Sequence, residues 1–191
     1  GSTFAIWFFV SLYLQQVLGY SPIRAGLAFL PMTLCIVAGS TIASRTVARV
    51  GAKPLLVGGM AVMALGLALF TRISTHGDYA ADVLVPGILV GIGMGFAFVP
   101  ATISAVAGVA PAEAGLASGL VNTSRLFGGA LGLAVLAAIA TSHTNSQLHA
   151  GASAHAALTS GFTLAFGIAA AFALIGGLVA AFGLPAVPAR R

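Results

Sequence analysis

Along almost the whole chain, long apolar runs alternate with short segments rich in Gly, Pro and polar residues. A helix that crosses a bilayer needs about 20 mainly apolar residues. By that measure the pattern predicts six spans, at about residues 4–18, 25–44, 54–70, 83–109, 115–141 and 158–184. Gly19 and Pro22 break the first span, and Pro54 suits the first turn of the third. Pro86 falls near the start of the fourth span and Pro100 inside it, while Pro31 lies inside the second. Helices packed in a membrane tolerate such residues because neighbours re-satisfy the freed backbone groups. Pro185 and Pro188 close the sixth span. The expected fold class is an all-α membrane protein: a six-transmembrane-helix bundle over residues 1–185 with a cytoplasmic tail at 186–191. The first run is short on its N-terminal side, no signal-peptide pattern precedes it, and the chain opens on Gly1, so we read it as a piece of a longer polytopic protein.

Glycine spacing adds detail to the helices. Gly87, Gly91 and Gly95 recur every four residues, and the pairs Gly115/Gly119 and Gly128/Gly132 repeat that interval. Small residues on one helix face let backbones approach closely in lipid. Gly91, Gly95, Gly128 and Gly132 are therefore candidate helix-packing positions.

Composition strengthens the membrane assignment. The chain is 59% hydrophobic and 6% charged, whereas soluble domains carry about 25% charged residues. Of its eight basic residues, Arg45, Arg49, Lys53, Arg190 and Arg191 fall on one side of the six-span topology. Arg24 and Arg72 fall on the other, and Arg125 lies inside the fifth span. Positive charge concentrates in cytoplasmic segments, which predicts a multi-pass protein of the cell membrane with its C-terminus in the cytoplasm. No basic tract suits a nucleic-acid backbone. The one cysteine, Cys35, sits in an apolar run as a small filler.

The chemistry of the chain is sparse. Its three acids, Asp78, Asp82 and Glu113, all lie at span ends or in connections, where charge is tolerated. His143, His149 and His155 recur every six residues in an expected outer loop at 142–157, a spacing unsuited to metal ligation from one helix. Gly91, Gly93 and Gly95 form no dinucleotide loop, because they lie in a hydrophobic span with no strand before them. No cofactor or metal is expected, and no paired acids or Ser/His set within the spans supports an intramembrane enzyme.

Arg125 is the most informative charge. At mid-span an arginine costs roughly 2.5–3.5 kcal/mol on insertion scales unless it pairs or reaches the headgroups. Asn122 and Ser118 precede it on the same helix face, forming a polar stripe directed at a cavity or at the cytoplasmic mouth. Arg125 is accordingly a gating or structural candidate, and direct contact with a cationic substrate is disfavoured by charge repulsion. In the first span Phe9, Tyr13, Gln15 and Gln16 are candidates for a substrate-cavity wall, as is Asn122 in the fifth. Thr102 and Ser104 follow Pro100 and are placed to satisfy the carbonyl that proline leaves unpaired.

Several segments carry a resemblance. The stretch LYLQQVLGYSP at 12–22, followed by AGLAFLP at 25–31, and the stretch AGLASGLVNTSR at 114–125 with GGALG at 128–132, resemble the fourteen-span drug:proton antiporters. These are the EmrB/QacA-type branch of the major facilitator superfamily. RVGAK at 49–53 is similar to the end of that superfamily's basic loop motif, although Ala48 stands where an Asp is usual. The resemblance implies that these spans are the C-terminal half of the fold, partnered by an absent N-terminal transmembrane bundle. It also implies proton-coupled efflux of hydrophobic or cationic compounds by alternating access, with Arg49, Gly51, Lys53 and Pro100 in gating or structural roles. The coupling acid would then belong to the absent half. The partners so implied are the lipid bilayer, that bundle, a small-molecule substrate and protons. A non-transport structural or assembly component of a membrane complex is the alternative from another class.

Overall fold

The computed structural model describes residues 1–106 and 108–183. The expected tail at 186–191, with Pro185, Pro188, Arg190 and Arg191, lies outside the described residues. The described chain is helical throughout: α1 Ser2–Leu12, α2 Pro22–Ala28, α3 Leu30–Val50, α4 Ala52–Phe70, α5 Val85–Val106, α6 Ala114–His149 and α7 Ala154–Gly183. Two π-helical turns complete the set, Tyr13–Val17 continuing α1 and Tyr79–Leu84 leading into α5. Among the described residues, five stretches are long and apolar enough to cross a membrane, and Ser2–Val17 is a shorter apolar helix beside them.

The helix ends follow local chemistry. Ser21 caps α2 by accepting from the Arg24 N–H, and Pro22 occupies the first turn, where its missing N–H costs nothing. The second span therefore begins at Pro22, earlier than the expected residue 25. It breaks at Phe29, because Pro31 cannot supply the N–H that would continue α2 into α3. It then runs on to Val50, so Arg45 and Arg49 stand on the last turns of α3 instead of in a loop. Gly51 turns the chain into α4 with φ 91° and ψ 159°, a region only glycine enters without strain.

The expected outer loop at 142–157 is mostly helix. α6 continues to His149 and α7 starts at Ala154, leaving a short connection that turns at Gly151. The polar side chains that suggested a loop bond across this hairpin instead. The His143 Nε2 and Ser160 Oγ atoms are 2.8 Å apart, and the Thr144 hydroxyl donates to the Ala157 carbonyl. At 36 residues, α6 extends about 54 Å by helix rise, well beyond the ~30 Å hydrocarbon layer.

α5 is the most enclosed span, with 56% of its apolar stretch buried, against 17% for α2–α3 and 22% for α6. It reaches its neighbours through glycine. A methyl added at Gly91 would stand 2.5 Å from the Met32 carbonyl, and one at Gly95 would stand 2.7 Å from that of Ile36, so both abut the α3 backbone. Gly93 faces the other way, onto Gly59 and Met63 of α4. Gly132 abuts Gly1, while Gly128 has open space beside it. Small residues thus set the separations between α3, α5 and α4. Larger rings fill the space where α1, α4 and α7 meet: Phe70 stacks on Phe166 at 4.9 Å, and Phe9 lies 5.8 Å from Phe162.

Candidate functional site: a cavity beside an uncovered helix

A cavity of about 690 Å³ opens between α1, α4, α5 and α6. It runs from the middle of the bundle toward the end that carries Arg45, Arg49 and Lys53, because its walls come from residues 56–63 of α4 and 94–105 of α5. Leu56, Met60 and Met63 contribute from α4, and Met94, Phe98 and Thr102 from α5. Gly1, Thr3 and Phe4 bound it at the start of α1, and Val121, Ser124 and Arg125 form the α6 side.

The guanidinium carbon of Arg125 sits over the Phe98 ring, 4.2 Å from its centroid. That stacking is a cation–π contact, which is strongest where water is scarce. Among the described residues, Arg125 is the only charged side chain lining the cavity. It has no ion pair and no side-chain hydrogen bond among the described residues. Asn122, Thr123 and Ser124 next to it are exposed as well, and their side chains likewise lack hydrogen-bond partners among the described residues. The exposed hydroxyls of α3 behave differently. Thr33 and Thr41 donate to carbonyls four residues back in their own helix, so lipid could cover them at little cost.

The other residues singled out from the sequence are dispersed. Phe9 is 1% exposed and packed in the aromatic core. Tyr13, equally buried, reaches the opposite end of the bundle, where its hydroxyl donates to the Ser74 carbonyl at 2.8 Å. Gln15 donates to the Ser11 hydroxyl on its own helix at 2.9 Å, and Gln16 is exposed on the π-helical turn. None of these four lines the cavity, and neither does Asn122. Arg49, Gly51 and Lys53 cluster at the α3–α4 corner. Pro100 is buried inside α5. The Thr102 hydroxyl donates to the Phe98 carbonyl at 3.0 Å, not to that of Phe96, the one that Pro100 leaves without a helical donor. His143 and His149 are helical and hydrogen-bonded, to Ser160 and to the Asn145 carbonyl.

Sequence reasoning passed over the methionine wall. Its signal was present: Met60 and Met63 are three residues apart and Met94 and Phe98 four, spacings that place each pair on one helix face. In an apolar span such pairs look like any other packing residues, so only the fold shows that they face a void.

At the opposite end lie all three tyrosines. Tyr79 donates to the Ala28 carbonyl at 2.8 Å, Tyr20 lies 6.4 Å from Tyr79, and Arg24 covers the Tyr20 ring. Tyrosine collects where a membrane meets water, since one end of the ring is apolar and the other polar.

Long apolar helices packed on glycine, with one basic end, one tyrosine-rich end and a polar run left open on a span, define a polytopic membrane protein of the transporter type. The chain belongs to the major facilitator superfamily, whose family model matches residues 1–191. It is 40% identical over 161 residues to the puromycin resistance protein of Streptomyces alboniger, covering 83% of this chain and 32% of that protein. It is 40% identical over 143 residues to the cephamycin export protein CmcT of Amycolatopsis lactamdurans, covering 74% of this chain and 29% of that protein. A third relative, the tetracenomycin C resistance and export protein of Streptomyces glaucescens, is 34% identical over 136 residues, 71% of this chain and 25% of the relative. The chain thus spans about a third or less of the length of these relatives.

Proposed function

We propose that this chain is the C-terminal bundle of an exporter that moves small hydrophobic compounds out of the cell by proton antiport and alternating access. The observation that carries the reading is the run Asn122–Arg125, exposed within the apolar helix α6 and without a side-chain hydrogen bond or ion pair among the described residues. Polar and charged side chains at membrane depth face a water-filled path or another protein surface, because lipid cannot satisfy them. A second bundle across α6 and the sparsely buried α3 would supply both, with the path running between. Family membership and the export functions named for the relatives support the same reading.

The end bearing Arg45, Arg49 and Lys53 faces the cytoplasm by the positive-inside rule. The cavity beside Arg125 then opens on the cytoplasmic half, where a compound bound for export would enter. Asp78, Asp82 and Glu113 stand at helix starts, so the proton-coupling acid belongs to the other bundle.

The test expresses the full-length gene in a drug-sensitive host and follows dye efflux with and without a proton gradient. A cysteine at Asn122, in a cysteine-free background, is then probed with a membrane-impermeant thiol reagent. Gradient-dependent efflux and a labelled Asn122→Cys are expected. Dye retention equal to that of empty vector overturns the antiport reading, and an unlabelled cysteine overturns the water-filled path.

A further inference from the structure

We infer that Arg125 is an anion-binding group, and that the cavity beside it takes a flat aromatic compound carrying a carboxylate or phenolate. The inference rests on the exporter reading above and narrows its cargo: the family resemblance implies hydrophobic or cationic compounds, whereas the cavity wall presents a cation.

Three observations converge. First, the guanidinium lies over the Phe98 ring at 4.2 Å. Stacking occupies a face of the planar group and leaves its edge free, and the edge carries the N–H donors arranged as a fork that matches a carboxylate. None of those donors has an acceptor among the described residues. Second, no acid among the described residues lines the cavity, so Arg125 meets no counter-charge there and a cationic ligand would meet a like charge. A ligand that brings a carboxylate would pair with the free edge of the guanidinium. Third, the remaining wall suits an aromatic body. Met60, Met63 and Met94 are flexible and polarisable and adapt to ring faces, and Phe4 and Phe98 add rings of their own.

Purified full-length protein in dodecyl maltoside is dialysed to equilibrium against a matched pair of probes, 2-naphthoate and 2-naphthylmethylammonium. The pair shares a ring system and differs in the sign of charge. The wild type is expected to bind naphthoate about tenfold more tightly than the ammonium, the effect of one charge-assisted interaction. Arg125→Gln should erase the preference, and Arg125→Lys should keep part of it. Phe98→Leu, which removes the stacked ring while keeping the charge, should weaken binding of naphthoate without reversing the preference. Equal binding of the two probes by the wild type overturns the inference, as does a preference that survives Arg125→Gln. Phosphatidylglycerol that displaces naphthoate from the wild type would assign the site to a lipid phosphate and overturn it too. The dye-efflux assay reports separately on the exporter reading. Efflux without a naphthoate preference sinks this inference alone, and a naphthoate preference without efflux sinks that reading alone.

Discussion

Tyr13 and Ser74, 61 positions apart, are joined by a hydrogen bond of 2.8 Å from the tyrosine hydroxyl to the serine carbonyl. The hydroxyl also stands 3.5 Å from Asp82 Oδ2. One buried side chain at the end of α1 therefore holds both the α4–α5 connection and the first turn leading into α5. Gly77 completes the arrangement, since a methyl there would collide with the Tyr13 hydroxyl and the Asp82 carboxylate. Both chain segments pass through π-helical turns at this point, and π-turns frequently mark functional positions in helices.

Tyr13→Phe should lower the thermal stability of the full-length protein in detergent by about 1 kcal/mol, the net value of a typical hydrogen bond. Asp82→Asn should cost less, because an acceptor oxygen remains. Gly77→Ala should displace the same hydroxyl, so its effect and that of Tyr13→Phe should fall short of additive in the double variant. Full additivity would show that the two residues do not share one contact.

Much of the fold was legible because lipid imposes a simple code: apolar runs of span length, broken by Gly and Pro. The ends were less legible where polar residues continue a helix. Ser142 to His149 reads as a loop by composition, yet Thr144 and His143 bond to Ala157 and Ser160 across a hairpin that no local pattern announces. The site was half legible. Arg125 and Asn122 stand out because charge and amide are rare in spans, and the structure leaves both exposed on α6, but only Arg125 lines the cavity. Tyr13 and Phe9 carry the same kind of side chain as a cavity wall, but which way a ring faces depends on neighbours distant in sequence, here Ser74 and Phe162.

Gly51→Ala should destabilise the protein by about 1–3 kcal/mol, the cost of a non-glycine residue in that backbone region. Gly51 is buried at the α3–α4 corner with φ 91°. Gly58→Ala, seven positions on within α4 and with nothing within 4 Å of the added methyl, is the control. It should be neutral or stabilising by up to about 1 kcal/mol through helix propensity. Thermal unfolding of both variants in the same detergent checks the contrast.

The His143–Ser160 bond of 2.8 Å ties α6 to α7 near their shared hairpin. Ser160→Ala and His143→Ala should each cost about 0.5–1.5 kcal/mol, and the double variant should cost less than the two together. Additive losses in a double-mutant cycle would mean that the two side chains act independently.

The glycines of α5 and α6 provide the sharpest contrast, because their surroundings differ in the two helices. A methyl at Gly93 would run into the Met63 backbone nitrogen and stand 2.6 Å from the Gly59 carbonyl. A methyl at Gly95 would stand 2.8 Å from the Ser40 nitrogen. Backbone atoms inside helices cannot rotate away as a side chain can, so α5 must move off α4 or α3. Overpacking of this kind costs about 1–3 kcal/mol, and Gly93→Ala and Gly95→Ala should lose at least that much, with lower yield of folded protein from the membrane. At Gly115 and Gly119 on α6 nothing lies within 4 Å, so alanine there should be neutral or slightly stabilising to this bundle. If the uncovered face of α6 receives a second bundle in the full-length protein, Gly119→Ala should leave folding intact yet reduce efflux. Equal stability losses at all four positions would show that the neighbouring backbone does not set the requirement for glycine.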